Sequence, residues 1–439
     1  MFRKMVGVAA SALILSNVVF TLRLDDGRFK PAMWLPPVAT AFGLFALAVR
    51  PKKLRILADG LAKSLRQRRR LSRQPAPTAK TAKSSKPRVL FVTSNGAGLG
   101  HISRVSAIVA KIENLEAITL TLSSAYRSLN DINSNIHYFP SQNTLGLDND
   151  TWGKLFSRQL SLYLEIVEPA VVVFDGTFIY EPLVENCQRY RVPIFWLRRG
   201  CWREEVARSS VQLMNPQLYC DGVLVPGDYG DVQVEESHSN FEVLKFPSVV
   251  MTAPEDMIEA RTAQRELGLE LGPKYVLIQL GGGVINDASA LRRAAIDAVL
   301  AEGYSPVLVA NPLDQHPKEV QGAQVVRAFP VAQYFSAFEF AVLAAGYNSV
   351  QESISLSLPA VFVPNQFTKT DDQVRRAETV AALGMGLCAM DEAEIRHAVS
   401  ALANSVVREN IVDKTHAAPP ATGAESIAGW LDTKFGSDT

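Results

Sequence analysis

Residues 343–373, LAAGYNSVQESISLSLPAVFVPNQFTKTDDQ, put a glycine, a serine and an acid within seven positions, between two apolar stretches. Gly346 closes the first stretch and is expected to take backbone angles that other residues resist. Ser349 opens the helix behind it, whose free N–H groups carry roughly half a positive charge and suit a phosphate. Glu352, one turn in, is placed to accept two hydrogen bonds from a vicinal diol such as a ribose, each worth about 1.5–3 kcal/mol. Phosphate donors and a diol acceptor on one turn describe a nucleotide site. The plainer alternative makes Glu352 a solvated acid that favours the helix dipole.

A second glycine turn lies upstream, in VLFVTSNGAGLGHISRVSAIVAKI. Gly96, Gly98 and Gly100 follow a Gly-x-Gly-x-Gly spacing, not that of dinucleotide folds, and no acid ends the next strand near position 122, which disfavours a nicotinamide or flavin site. What remains is a loop that lets an anionic or sugar ligand approach backbone N–H groups. His101 stands at the helix start, where the dipole disfavours its protonation. It either takes a proton from an incoming hydroxyl, a role contributing about 10²–10⁴ in rate, or caps the helix. Arg104 faces the same cleft or makes a surface ion pair. Asp175 ends the apolar strand AVVVF as a base, an acceptor ligand or a turn cap. Arg198, Arg199 and Arg203 meet an acceptor phosphate or lipid headgroup, or pair at the surface. Gly281, Gly282 and Gly283, with Asn286 beyond, make a third close-approach turn towards phosphates or sugar. Phe329, before Pro330, frames a flat base or sits in the core. No His/Asp/Glu group has metal-ligand spacing; no metal and no cofactor are expected.

The elements that position these residues are short apolar runs alternating with amphipathic stretches. Strands are predicted at 88–94, 117–123, 170–176, 192–199 and 221–227, and again at 274–283, 305–311, 323–329, 339–346 and 358–365. Helices are predicted at 101–115, 154–168, 287–302 and 371–383. Strands alternating with helices imply α/β architecture with parallel sheets, which bind ligands at the carboxyl ends of strands. The expected organisation is an N-terminal Rossmann-like domain over 88–260, a second over 261–415, and a C-terminal helix within 416–439. A cleft between two doubly wound domains is the default ligand site.

The 439 residues carry a net charge of +1 that hides a partition. Residues 50–88 hold 14 Lys/Arg against Asp59, and 89–439 hold 26 basic and 41 acidic residues, a net of −15. So acidic a globular part is a poor nucleic-acid binder. Met5–Leu22 and Pro31–Val49 are uncharged runs of 18 and 19 residues, each able to span a hydrocarbon core about 30 Å thick. With the short RLDDGRFK connector they form an expected transmembrane hairpin over 1–50, followed by a basic juxtamembrane segment and linker over 51–87. The positive-inside rule puts both flanks in the cytoplasm, so the domains face it from an inner (cytoplasmic) membrane. A cleaved signal peptide is the alternative for the first run. Four widely spaced cysteines, Cys187, Cys201, Cys220 and Cys388, fit a reducing compartment.

Over roughly residues 88–410 the chain resembles the two-domain GT-B nucleotide-sugar glycosyltransferases. It is most similar to the family of the peptidoglycan enzyme that adds N-acetylglucosamine to lipid I, which also contains the galactolipid synthases (glycosyltransferase family 28-like). AAGYNSVQESISLSLPAVFVPNQ…DDQVRRA is similar to its donor signature. The resemblance implies Gly346, Asn348 and Ser349 at the phosphates, Glu352 on the ribose, and Asp372 with Gln373 on the sugar. GAGLGH, preceded by Asn95, resembles the family's first glycine loop. Leu358 before Pro359 and Asp372 depart from the pattern, and GLGHISR is also similar to a UDP-sugar hydrolase loop. The implied activity is an inverting, metal-independent transfer from a nucleotide sugar, UDP-linked as in UDP-N-acetylglucosamine, to a lipid or lipid-linked saccharide in envelope polysaccharide or glycolipid synthesis. A nucleotide-sugar hydrolase or epimerase, or a non-catalytic scaffold of a polysaccharide assembly complex, are the alternatives.

Overall fold

The computed structural model describes residues 86–94, 99–129, 135–231, 241–281, 288–310 and 319–436. The two apolar N-terminal runs, the basic segment, Asn95, Gly96, Gly98, Gly282, Gly283 and Asn286 lie outside the described residues. No described helix is long and apolar enough to cross a membrane.

The chain from Ser84 onward is one compact unit built on two parallel sheets. The first contains β1 (Arg88–Thr93), β2 (Glu116–Thr121), β3 (Ile136–Tyr138), β4 (Val171–Asp175), β5 (Ile194–Leu197), β6 (Gly222–Pro226) and β7 (Glu242–Phe246), in the order 3-2-1-4-5-6-7. The second contains β8 (Tyr275–Gln279), β9 (Ser305–Val309), β10 (Gln324–Val326), β11 (Phe338–Ala344), β12 (Ala360–Val363) and β13 (Leu387–Cys388), in the order 10-9-8-11-12-13. The strand order reverses between β1 and β4 in one sheet and between β8 and β11 in the other. At such switch points the crossovers diverge and leave a crevice beyond the carboxyl ends.

Both sheets are covered on two faces, so their central strands are largely apolar and buried. Along β1, Leu90 and Val92 pack into one core with Phe174 and Trp196, while Val89 and Phe91 pack into the other with Val173 and Phe195. The helices that matter for the site are α1 (Gly100–Val109), α2 (Asn149–Val167), α3 (Glu181–Tyr190), α4 (Ser289–Ala301), α5 (Tyr347–Ser355), α6 (Gln373–Ala382), α7 (Glu392–Ala403), α8 (Ser405–His416) and α9 (Gly423–Phe435). Asp148, Asp372, Asp391 and Asn404 cap α2, α6, α7 and α8 with their side chains, whereas no side chain caps α1 or α5. Among the described residues no side chain occupies the first amides of those two helices, which suits them to an outside partner.

The expected helix over 101–115 stops at Val109, because the amides of Glu113 and Asn114 donate to Asp432 on α9, at 2.8 and 2.9 Å. Sequence reading left α9 without a partner. It returns to the first sheet, where Ala424, Ile427, Ala428 and Leu431 pack among Val89, Phe91 and Val173. The chain therefore crosses between the sheets twice, and the crossings meet: Val249 bridges Thr422, and the Gly423 amide donates to the Ser248 carbonyl at 2.9 Å. A β-carbon at Gly423 would stand 2.2 Å from the Pro247 carbonyl oxygen, so only glycine fits.

Leu431 is fully buried, and Leu431→Ala is expected to lower stability by about 2–5 kcal/mol. Urea unfolding followed by fluorescence checks this; a loss under about 0.5 kcal/mol would place α9 off the first sheet.

Candidate active site

The β1–β4 crevice holds the first cluster. Register pairs Thr93 with Asp175, so the loop after β1 and the acid ending β4 open side by side. Asp175 is wholly buried. Its Oδ1 lies 2.8 Å from His101 Nδ1 and 2.6 Å from Arg104 Nη2, and its Oδ2 accepts from Arg104 Nε at 2.9 Å. Burial opposes charge on Asp175, but Arg104 and then His101 outweigh it and hold the carboxyl below its ordinary range. With that carboxylate ionised, Nδ1 of His101 carries the proton and donates it, leaving Nε2 with the lone pair. Burial, then Arg104 and Arg199, push the His101 pKa down against the upward pull of Asp175. The imidazole is neutral, oriented and basic at one nitrogen. Arg104 is therefore no surface residue: it holds the acid that holds the histidine.

The second cluster meets the first across the gap between the sheets. The guanidinium of Arg104 lies 5.1 Å from the centre of the Tyr347 ring, at the start of α5. The Tyr347 hydroxyl accepts the Val249 amide at 2.9 Å, and Asn348 Nδ2 reaches the Gly100 carbonyl at 3.4 Å. The uncapped starts of α1 and α5 thus converge, each opened by a glycine. The reason for glycine at 346 differs from the expected one: φ is −72°, extended backbone open to any residue. A β-carbon at Gly346 or Gly100 would meet nothing within 4 Å, so both face open space. Gly281, by contrast, has φ +82° and needs to be glycine. Ser349 is half-buried in the first turn of α5.

Glu352 points back to the linker between the sheets, where it accepts the Met251 amide, and burial raises its pKa to about 7. Met251, Pro330 and Ser355 also line a cavity of about 630 Å³. Phe329, expected to frame a base, is half-buried and does not line it; its neighbour Pro330 does.

Asp372 and Gln373 do structural duty in this state. Asp372 caps α6 through the Arg375 amide at 3.1 Å, and Gln373 Oε1 accepts the Asn365 amide at 2.9 Å. Arg203 donates to the Thr368 and Gln366 carbonyls of the second half, each at 2.7 Å. Arg199 lies 3.8 Å from Asp371, and Arg198 is buried with its guanidinium 5.6 Å from the Trp196 ring centre. The basic cluster therefore runs along the seam.

Sequence reading missed the centre of that seam. Arg376, fully buried on α6, donates to Asp228 of the first half at 2.8 and 2.7 Å, to Asp371 at 3.1 and 2.7 Å, and to the Ala345 carbonyl at 3.0 Å. Asp228 follows β6 in VLVPGD and Arg376 lies in QVRRA. An acid at a strand's carboxyl end and an arginine on an apolar helix face were the available signals. Tyr347 was legible only as the residue after Gly346.

No family model matches the sequence. The UDP-N-acetylglucosamine–N-acetylmuramyl-(pentapeptide) pyrophosphoryl-undecaprenol N-acetylglucosamine transferase of Leuconostoc mesenteroides subsp. mesenteroides is 24% identical over 301 residues, 62% of this chain and 75% of that protein. The crystal structure of Acinetobacter baumannii MurG superposes with TM-score 0.52 at 16% identity, covering 79% of this chain and 100% of that one. The chain has the fold of the GT-B glycosyltransferases. In sequence as well as in fold it is similar to the lipid I N-acetylglucosaminyltransferases. The UDP-GlcNAc 2-epimerase of Neisseria meningitidis, bound to UDP-GlcNAc, has the same fold at TM-score 0.53 and 13% identity, covering 79% and 100%.

Truncating Asp228 to alanine leaves the buried Arg376 short of a partner, which is expected to cost about 3–5 kcal/mol. Guanidinium unfolding measures it; wild-type stability in Asp228→Ala would mean the seam does not hold the halves together.

Proposed function

We propose that the protein is a membrane-associated, inverting glycosyltransferase. It moves a sugar from a nucleotide donor, UDP-linked as in UDP-N-acetylglucosamine, to a lipid or lipid-linked saccharide of the cell envelope. The observation that carries this is the His101–Asp175 pair facing the uncapped start of α5 across the interdomain gap. Held by Asp175, His101 offers Nε2 to an acceptor hydroxyl and takes its proton as the oxygen attacks the anomeric carbon. Negative charge grows on the departing diphosphate, and the amides behind Gly346 and Gly100 are pre-aimed at it, with Asn348 and Ser349 alongside. Asp175, buried with both oxygens engaged, orients the histidine and is not itself the base. Glu352 leaves Met251 to take the ribose diol, while Gly281 and the glycines after it approach the phosphates and Asp372 with Gln373 the sugar. No metal and no cofactor belong to this scheme. The transmembrane hairpin over 1–50 and the basic collar over 51–87 hold the domains at the cytoplasmic face of the inner membrane, where a bilayer-resident acceptor is found.

The fold is shared with an epimerase, so the decisive test is product analysis. Radiolabelled nucleotide sugars are incubated with membrane lipid extract, and the organic phase is chromatographed. A labelled glycolipid is expected, with His101→Ala slower by about 10²–10⁴. Free or epimerised sugar released equally fast without lipid would establish the hydrolase or epimerase instead.

Two pH dependences follow. Because the His101 pKa is depressed, the acid limb of kcat/KM is expected below the ordinary histidine value of 6.5. Glu352 binds a diol best as the carboxylate, so donor KM is expected to fall as pH rises through about 7. Steady-state kinetics across pH, with Glu352→Gln flat where the wild type bends, checks both.

A further inference from the structure

The starts of α1 and α5 meet at the cleft, and their far ends line a cavity of about 630 Å³ that the transfer chemistry does not use. That volume is within the range of small-molecule sites. α1 contributes Ser106 and Lys111, and α5 contributes Ser355. The two threads that cross between the sheets close it, one through Met251 and the other through Thr422. An occupant would therefore touch both halves and both crossings at once.

One buried group in this cavity calls for a partner from outside. Ser106 is 1% exposed and lines the wall, yet its Oγ has no hydrogen-bond partner among the described residues. A buried hydroxyl left unmet costs about 1–3 kcal/mol. Thr252 Oγ1 and Gln351 Nε2, next in sequence to the Met251 amide and the Glu352 carboxyl that it meets, are buried and unpartnered in the same way. So α1, α5 and the linker each carry one unmet polar group. Charge at the mouth selects the ligand class. Glu255, Asp256 and Glu425 outnumber Lys111 and His416 there, whatever the state of the histidine. Lys111 already pairs with Glu425 at 2.9 Å, which leaves the exposed Glu255 and Asp256 without an ion pair among the described residues. Ala107, Ala110, Ala253, Ala418 and Pro330 present small apolar faces, and no aromatic ring lines the cavity. An ammonium at the mouth, methylenes along alanine and proline, and a second nitrogen donating to Ser106 Oγ describe an aliphatic amine.

We propose that this cavity is a regulatory site for an aliphatic di- or polyamine, whose binding opposes that of the nucleotide donor. Met251 links the two sites, since it lines the cavity while its amide holds Glu352. A ligand packed against Met251 fixes the linker in the state where Glu352 is engaged and withheld from a ribose. The coupling is reciprocal, so donor binding loosens the amine by the same factor. This regulation rests on the reading of Glu352 as the ribose ligand; the amine site itself stands on Ser106 and the acidic mouth.

Putrescine and spermidine are the probes, titrated by calorimetry into the full-length protein at low and high salt. At least one is expected to bind, and more weakly as salt rises. Ser106→Ala removes a hydroxyl that the unliganded protein leaves unmet, so its melting temperature is expected to hold or rise while amine affinity falls about tenfold. Glu255→Gln combined with Asp256→Asn, both at exposed positions, is expected to weaken the amine about fivefold with basal transfer unchanged. Saturating amine is expected to weaken UDP about fivefold in the wild type, and saturating UDP to weaken the amine equally. Binding of neither amine, or binding that Ser106→Ala and the double variant leave untouched, overturns the proposal. So does an amine that binds without altering UDP affinity, or one that competes with UDP as strongly in Ser106→Ala, which would place it in the donor site. Amine binding that needs Ser106, in a protein that never binds UDP, keeps the amine site and removes the donor reading.

Discussion

A guanidinium has five N–H donors, and in Arg376 all five are taken while no part of the side chain touches water. Its partners belong to three places: Asp228 past β6 in the first half, Asp371 before α6, and the carbonyl of Ala345, one residue ahead of the glycine that opens α5. A buried cation left one partner short is costly, so these three segments move together or not at all. The position of the α5 start relative to the first sheet is thereby set from behind. Everything attributed to the cleft, the Arg104–Tyr347 contact and the Asn348–Gly100 bond included, presupposes that placement.

The second dependence is electrostatic and sits in front of the same gap. Arg104 takes both oxygens of Asp175, which leaves that carboxylate charged despite complete burial. A charged Asp175 in turn fixes which nitrogen of His101 bears hydrogen. Had Asp175 been unaccompanied, burial would have driven it neutral and the histidine would have lost its orientation. One arginine therefore shapes the site from a distance and another from within it, and neither needs to touch substrate.

The alternation of strands and helices was legible in residues 88–365 because the central strands are largely buried on both faces and read as apolar runs. β3, β7 and β13 were not, since they are short edge strands with exposed or half-buried positions. The histidine, the acid ending β4 and the glycine–serine–glutamate turn were visible because a parallel sheet sends its functional residues to the strand ends, where sequence punctuation is strongest. Their partnerships were not visible. Arg104 and Asp175 are 71 positions apart, and Arg376 and Asp228 are 148 apart. Gly346 was recognised for a conformational reason and turns out to matter for the space before it. Asp372 and Gln373 were read as sugar ligands, and here they secure the loop that would carry them to a sugar.

The last helix of the chain completes the first sheet's core. The first half therefore stays unfinished until α9 has been made, and the second half must fold while its neighbour still lacks a wall. The same arrangement restricts motion. A single connecting thread would let two bodies swivel freely, but here two antiparallel threads run side by side through Val249 and Thr422, with Gly423 pressed against Pro247. A paired strap bends in one plane and resists twisting. Any relative motion of the two halves therefore has to bend that strap and strain the Arg376 network on the other side of the gap.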